Sequence, residues 1–179
     1  MISLQASDFE LFGLPSAYAV DRAQLDLQWK SLQREAHPDR FASEGAAAQR
    51  IAMQWSVRIN EAYNRLKDPL KRAAYLCELN GAAVNAENNT SMPAAFLMQQ
   101  MEWREALDDC KTFKVLESKT EALEKLLHEV DASHAEALTQ VASLIDVDQN
   151  FSAAVAQVRA LMFIEKFAQE VHHQLDAIS

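Results

Sequence analysis

The sequence predicts an all-α protein made of two helical domains. Three glycines and four prolines among 179 residues leave long uninterrupted stretches, rich in residues that favour helix. No alternating apolar and polar run bounded by turns occurs, so no sheet is expected. Charge also divides the chain, because residues 1–75 carry 10 Lys+Arg against 9 Asp+Glu (+1) and residues 76–179 carry 7 against 17 (−10). This asymmetry indicates two parts with different partners, and it disfavours nucleic acid as a partner of the acidic half.

The first predicted elements are a short helical turn and a longer amphipathic helix. The turn lies within residues 8–15, where Gly13 and Pro15 stop it. Asp21 is suited to cap the next helix, residues 22–36, because its carboxylate can accept from the free amides of the first turn. The spacing gives this helix an apolar face of Leu25, Trp29, Leu32 and Ala36, and a charged face of Arg22, Asp26, Lys30 and Arg34.

Two more helices complete the first predicted domain. The longer one runs from about Ala46 to Leu66 and ends before Asp68-Pro69, and the shorter one runs from Leu70 to Leu79 before Asn80-Gly81. The apolar side of the longer helix consists of Ile51, Trp55, Ile59, Ala62 and Leu66. The asparagine-rich residues 82–90 are typical of a linker. We therefore expect a first domain over residues 1–80 and a linker over residues 81–92.

Residues 93–179 are predicted to form a three-helix bundle. Helical spacing of apolar residues covers about 93–111, 116–145 and 151–177. The breaks near Thr112 and at residues 146–150 are short, so neighbouring helices should pack antiparallel.

The tripeptide His37-Pro38-Asp39 separates the basic-striped helix from the next one. Pro38 fixes its own φ and lacks an amide hydrogen, which disfavours helical geometry at His37 and stiffens a short turn. Positive charge is placed around the turn by Lys30, Arg34 and Arg40. A rigid polar loop within a basic surface suits docking to an acidic partner. The alternative is a plain turn that ends a helix, with His37 solvated or capping.

A helical wheel divides residues 96–110 into two faces. At about 100° per residue, one arc of roughly 60° is apolar and should face the core. It consists of Phe96, Trp103, Leu107 and Cys110. The opposite face mixes three apolar side chains, Leu97, Met98 and Met101, with three acids, Glu102, Glu105 and Asp109. This face is either a partner surface, to which methionine adapts well, or a second packing surface of the bundle, and the wheel leaves both open.

Residues 8–75 resemble a J domain. The resemblance is carried by Phe9-x-x-Phe12-Gly13-Leu14, Arg34-Glu35-Ala36-His37-Pro38-Asp39 and Asn60-Glu61-Ala62-Tyr63. It implies that the loop and the basic helix before it contact a DnaK-type heat-shock chaperone and trigger its ATP hydrolysis. His37, Pro38 and Asp39 would be the trigger, and the electrostatic contacts would be Lys30 and Arg34, followed by Arg22 and Arg40.

Nearly the whole chain, and most clearly residues 8–80, 96–109 and 158–166, resembles the HscB family of iron–sulfur-assembly co-chaperones. The matching motifs are Leu70-x-Arg72-Ala73-x-Tyr75-Leu76, Phe96-Leu97-Met98-x-x-Met101-Glu102-x-Arg104-Glu105 and Val158-Arg159-x-Leu161-x-Phe163-Ile164-x-Lys166. The resemblance implies that the bundle binds an IscU-like scaffold through Leu97, Met98, Met101, Glu102, Glu105, Asp109 and Phe163. Three positions depart from the family pattern. Gln99 stands where the family commonly has an acidic residue, Met101 stands where leucine is frequent, and Asp109 is a shorter acid than glutamate. Residues 161–164 are continuously apolar, so periodicity does not say which of them faces outward.

These observations predict a co-chaperone and not an enzyme. It would bind the scaffold, deliver it to an HscA-like chaperone, stimulate that chaperone's ATPase and promote cluster transfer. The chain holds no GxxxxGK[ST] loop for nucleotide phosphates, so the chemistry would belong to the partner. Two alternatives stay open: a general J-domain co-chaperone whose bundle binds unfolded clients, and a structural adaptor with an inactive turn.

No metal site, cofactor or membrane segment is expected. Cys77 and Cys110 lack CxxC spacing and neighbouring histidines, which is typical of free, partly buried thiols. His172 and His173 point about 100° apart on a helix and chelate poorly. His128 and His134 lie in an acidic helix and are interpreted as solvated. The first residues do not form a secretory signal, and no apolar stretch approaches the roughly 18 residues that span a bilayer, so a cytoplasmic protein is expected.

Overall fold

The computed structural model describes residues 3–85 and 90–178. Within these residues, all of the regular secondary structure is helical. The all-α prediction is confirmed. The chain divides into two units, Met1–Leu76 and Cys77–Ser179. Residues 86–89 of the expected linker lie outside the described residues, and the boundaries of residues 1–80, 81–92 and 93–179 stay predictions.

The first unit contains α1 (Asp8–Leu11), α2 (Arg22–Glu35), a 3₁₀ helix (Pro38–Glu44), α3 (Ala46–Lys67) and most of α4 (Pro69–Leu79). The predicted cap of α2 is present, because the Asp21 carboxylate accepts from the amides of Ala23 and Gln24 at 2.9 and 3.1 Å. A capping box between Ser7 and Glu10 begins α1, so local hydrogen bonds determine where both helices start.

Helices α2 and α3 form an antiparallel hairpin held by paired side chains. The indole of Trp29 stacks on Tyr63 with ring centroids 4.8 Å apart, and its Nε1 donates to Asn60 Oδ1 at 2.9 Å. Asn60 Oδ1 also accepts from Gln33 Nε2 at 2.7 Å. The Asn60-to-Tyr63 motif therefore fastens the basic-striped helix to α3.

One residue that was predicted to lie in the core of the first unit is exposed. Ile59, Ala62 and Leu66 are buried, whereas Ile51, predicted to lie on the apolar side of α3, is 56% exposed. Ala52 is buried instead. The two residues flank the same helical stripe, and the packing of α3 in the unit buries the smaller one. Trp29, Leu32, Ala36 and Trp55 are only half-buried.

The second unit contains α5 (Ala94–Cys110), α6 (Leu116–Asp146) and α7 (Phe151–Asp176). Contacts from His134 to Glu165 and from Gln140 to Gln157 run in opposite directions along the chain, so α6 and α7 are antiparallel. Phe96 of α5 contacts Phe163 of α7, and the later Trp103 contacts the later Phe167, so these two helices are parallel. The predicted core stripe of α5 is buried: Phe96, Trp103, Leu107 and Cys110.

The histidines of the bundle differ in their surroundings. His128, His172 and His173 are exposed, but His134 is half-buried and its Nε2 lies 3.1 Å from Glu165 Oε1. The interpretation of His134 as a solvated residue was therefore wrong, because packing of α6 on α7 brings a carboxylate 31 residues away to its ring. Among the described residues, no group of three or more histidine, cysteine or carboxylate side chains could hold a metal ion.

Candidate functional site

The loop after α2 presents His37 and Asp39 to solvent. His37 caps the 3₁₀ helix, whose first residue is Pro38. The Asp39 amide donates to His37 Nδ1 at 3.3 Å, and the Arg40 amide donates to the His37 carbonyl at 3.0 Å. The side chains remain 57% exposed at His37 and 90% exposed at Asp39. Local hydrogen bonds thus fix the backbone of the loop and leave its two polar side chains available to a partner.

The predicted cations are not all near this loop. Arg40 Nη1 donates to the Arg34 carbonyl at 3.4 Å, which holds the Arg40 guanidinium against the end of α2. Lys30 and Arg34 are exposed on the last turns of α2. Arg22 lies at the opposite end, 12 residues and therefore roughly 18 Å from Arg34 along the helix axis. The structure groups Arg34 and Arg40 at the loop and separates Arg22 from it.

Arg22 is instead part of a polar cluster between α2 and α3. Its Nε lies 2.8 Å from Asp26 Oδ1, and its guanidinium carbon lies 5.8 Å from the centre of the Tyr63 ring. Hydrogen bonds from the Tyr63 hydroxyl and from Arg22 to the Asp26 carboxylate lower the pKa of Asp26. The cluster orients the first turns of the basic helix.

The second candidate surface lies on α5. Its apolar members are exposed: Leu97 by 43%, Met98 by 68% and Met101 by 70%. The acids Glu102, Glu105 and Asp109 are exposed as well. The six side chains predicted from the wheel therefore form a mixed apolar and acidic surface in the described structure, which we call the α5 face. An apolar group of this kind with a charged rim is typical of a partner-binding surface.

Phe163 lies at the side of α5, where it belongs to an aromatic cluster. Its ring centroid is 5.7 Å from that of Phe96 and 6.0 Å from that of Phe167. It is half-buried, whereas Leu161 and Ile164 are buried and Met162 is exposed. Phe163 therefore touches α5 through its core residue Phe96.

Arg104 covers this aromatic cluster and was not proposed as a site residue. Its guanidinium carbon lies 5.4 Å from the Phe163 centroid and 5.3 Å from the Phe167 centroid. Its Nη1 also lies 2.8 Å from Glu170 Oε2, which holds the planar group over the rings. Sequence reasoning could not find this role, because Arg104 and Glu170 are 66 residues apart.

A polar groove borders the other side of the α5 face. The cavity has a volume of about 390 Å³, and residues of α5, α6 and α7 line it. Met98, Gln99 and Glu102 line it from α5, and Ser133 and Glu136 from α6. The Ser133 hydroxyl donates to Gln99 Oε1 at 3.2 Å. No sequence signal indicated this groove, because it forms only when the three helices meet.

Within residues 3–85 and 90–178, we find no helix that combines the length and the hydropathy needed to span a lipid bilayer.

Comparison with known proteins gives the same family for both halves of the chain. The family described as "HSCB C-terminal oligomerisation domain" matches residues 92–172. Two relatives named "Co-chaperone protein HscB homolog", from Burkholderia multivorans and Burkholderia cenocepacia, are 48% and 47% identical over 178 residues, with 99% of this chain and of each relative covered.

Two solved structures resemble the whole fold. The chaperone HscB from Vibrio cholerae has a TM-score of 0.80 and 36% identity, covering 97% of this chain and 100% of that one. The human co-chaperone protein HscB has a TM-score of 0.83 and 23% identity, covering 97% of this chain and 84% of that one, and it supports the fold alone.

Proposed function

The chain belongs to the HscB family of co-chaperones, and we propose that it delivers an IscU-like iron–sulfur scaffold to an HscA-like, DnaK-type chaperone. Its relatives are non-enzymatic co-chaperones with an N-terminal J domain and a C-terminal helical domain. The observation that carries the proposal is the presence of two different exposed surfaces on two units: the loop of residues 37–39 and the α5 face.

The J domain would act as the trigger for ATP hydrolysis by the chaperone. Lys30 and Arg34, with Arg40, would attract an acidic surface of the chaperone and orient the encounter. His37 and Asp39 would then make the specific contact, because the turn at Pro38 holds them in place before binding. Arg22 is the weakest of the seven proposed contacts, since its distance from the loop and its bond to Asp26 reduce its availability.

The bundle would hold the scaffold on the α5 face. Leu97, Met98 and Met101 would bury apolar surface against it, and Glu102, Glu105 and Asp109 would form the charged rim. Phe163 would contribute from the side through its exposed part. The iron–sulfur cluster would be cargo on the scaffold, and we propose no resident cofactor. We also propose a cytoplasmic location, since the chaperone partner consumes ATP.

Holding both partners on one chain would raise the concentration of the scaffold at the chaperone. Stimulation of the ATPase should therefore be larger when the scaffold is present. Hydrolysis would tighten the chaperone's hold on the scaffold and favour transfer of the cluster to acceptor proteins.

The trigger is tested by His37→Gln in an ATPase assay with purified chaperone. We expect stimulation to fall by at least about tenfold, equivalent to about 1.4 kcal/mol. His128→Gln, which replaces an exposed histidine of the bundle, is the matched control and should stimulate normally. Unchanged stimulation by His37→Gln would support the adaptor with an inactive turn.

The scaffold surface is tested by the double variant Leu97→Ala/Met101→Ala. Truncating two apolar anchors should weaken scaffold binding by about 2–3 kcal/mol, or roughly 30- to 150-fold, in calorimetry. Stimulation of the chaperone without scaffold should be retained. Leu116→Ala/Val147→Ala removes apolar side chains that are at least as exposed elsewhere on the bundle and serves as the control. A general co-chaperone for unfolded clients would instead bind many exposed peptides and show no selective complex with the scaffold.

A further inference from the structure

Arg159 is a cation that the bundle buries. It lies on α7, is only 7% exposed and carries five N–H groups that need acceptors once water is removed. Three backbone carbonyls serve as acceptors: Nε donates to Val84 at 3.1 Å, Nη2 to Ala83 at 3.4 Å and Nη1 to Ser91 at 3.1 Å. One guanidinium therefore binds the chain both before and after residues 85–90.

The backbone is directed toward Arg159 by the turn that ends α4. Gly81 has a φ of +80°, its amide donates to the Glu78 carbonyl at 3.0 Å, and the Ala82 amide donates to the Cys77 carbonyl at 2.8 Å. This is a Schellman motif, which requires a left-handed residue that glycine adopts without strain. The next two residues then present their carbonyls to Arg159. The described ends of the expected linker are thus fixed to α7.

The choice of arginine follows from this geometry. A guanidinium is a planar fork whose N–H groups diverge, so it can bind acceptors in two separate stretches of chain at once. A lysine ammonium carries the same charge at a single point. Charge alone would therefore not reproduce the attachment.

We propose that Arg159 is a positioning residue that fixes the connecting segment to the bundle, so that a scaffold on the α5 face stays within reach of a chaperone engaged at the 37–39 loop. This inference rests on the proposed function. If the bonds to Arg159 were lost, residues 81–85 and 90–92 would no longer be held to α7. The bound scaffold would then sample a larger volume, and its effective concentration at the chaperone would fall.

The test uses Arg159→Met in the full chain, with Lys166→Met as the control that removes a charge from an exposed position of the same helix. We expect hydrogen exchange of the amides at residues 82–85 and 90–91 to accelerate at least about tenfold in Arg159→Met and not in the control. Binding of purified scaffold and stimulation of chaperone without scaffold should each change less than about twofold. The additional stimulation caused by scaffold should fall at least about fivefold. Arg159→Lys should restore little of it.

Two results would overturn the proposal: unchanged exchange in Arg159→Met, or faster exchange with the scaffold-dependent stimulation intact. A wild-type protein that shows no scaffold-dependent stimulation would instead refute the proposed function. If Arg159→Met fails to fold, Gly81→Ala decides the question, because it strains the turn while leaving the guanidinium in place. Loss of scaffold-dependent stimulation in Gly81→Ala with faster exchange supports the proposal, and retention of that stimulation refutes it.

Discussion

We expect the buried charge of Asp8 to stabilise the first unit, and Asp8→Asn measures its contribution to the free energy of unfolding. Its carboxylate is fully buried between two arginines. Oδ2 lies 2.9 Å from Arg65 Nη1, and Oδ1 lies 2.7 Å from Arg58 Nη1. The second contact is an ion pair whose geometry is not that of a hydrogen bond. Arg58 also donates to the Ala6 carbonyl at 2.9 Å, so these contacts attach the start of the chain and α1 to α3. The asparagine side chain keeps the volume and removes the negative charge.

The expected loss can be estimated from the exposure of the partners. Removing one member of a buried ion pair costs about 3–5 kcal/mol. The side chains of Arg58 and Arg65 are 20% and 42% exposed, so water can partly solvate them after the substitution. We therefore expect the free energy of unfolding of the first unit to fall by about 3 kcal/mol. For a unit of this size, each kcal/mol lowers Tm by about 4–8 °C, giving a fall of roughly 12–24 °C.

Native-state hydrogen exchange measures this loss in each unit separately. Amides of α3 should lose about 3 kcal/mol of protection and those of α6 should lose none, because the ion pairs of Asp8 are with Arg58 and Arg65 of α3. Glu61→Gln, which neutralises an exposed carboxylate of α3, is the control. A loss below about 1 kcal/mol in α3 would refute the reasoning that burial makes this charge important. An equal loss in α6 would refute the expectation that the effect is confined to the first unit.

Three further predictions concern single groups. Burial raises the pKa of the Cys77 thiol to about 11 from its ordinary 9.0, although Arg159 opposes the shift. As the pH rises, the Cys77 thiol therefore ionises in the unfolded chain before it ionises in the folded chain. About 2–3 kcal/mol of folding stability, which is present below about pH 9, should be lost by about pH 11. Urea unfolding of the wild type and Cys77→Ala across this range measures it, and a constant difference would contradict it. Tyr63→Phe removes the hydroxyl that donates to Asp26, so the pKa of Asp26 should rise toward its ordinary value in an NMR titration; no change would mean that Arg22 alone holds it low. Arg104→Met should destabilise the bundle by about 1 kcal/mol, since it removes an exposed ion pair and the cation over Phe163, and a loss above about 3 kcal/mol in urea unfolding would show an additional role.

Local chemistry in the sequence was enough to predict the helices and the loop. The Asp21 cap, the break at Pro38 and the end of α4 at Gly81 each depend on residues within a few positions, and all three are present in the structure. The side chains that share the mixed face of α5 were also predictable, because a helix of 17 residues turns its side chains in a fixed order, but only packing decided that this face is exposed. The assignment of these surfaces to particular partners stays a proposal.

Tertiary packing decided what periodicity left open. Ile51 and Ala52 flank one stripe of α3, and only the packing of the unit determined that the alanine is buried. Phe163 could not be oriented within a continuous apolar run until Phe96, Phe167 and Arg104 surrounded it.

The sequence by itself therefore determined an all-α chain, the turn at residues 37–39 and which side chains share the mixed face of α5, because hydrogen bonds and side-chain directions within a helix or turn are set by near neighbours. Only the tertiary structure made Arg159 an anchor for the segment between α4 and α5. Its three carbonyl acceptors lie 68 to 76 residues away, and no short-range rule brings a buried cation to groups so distant in the chain.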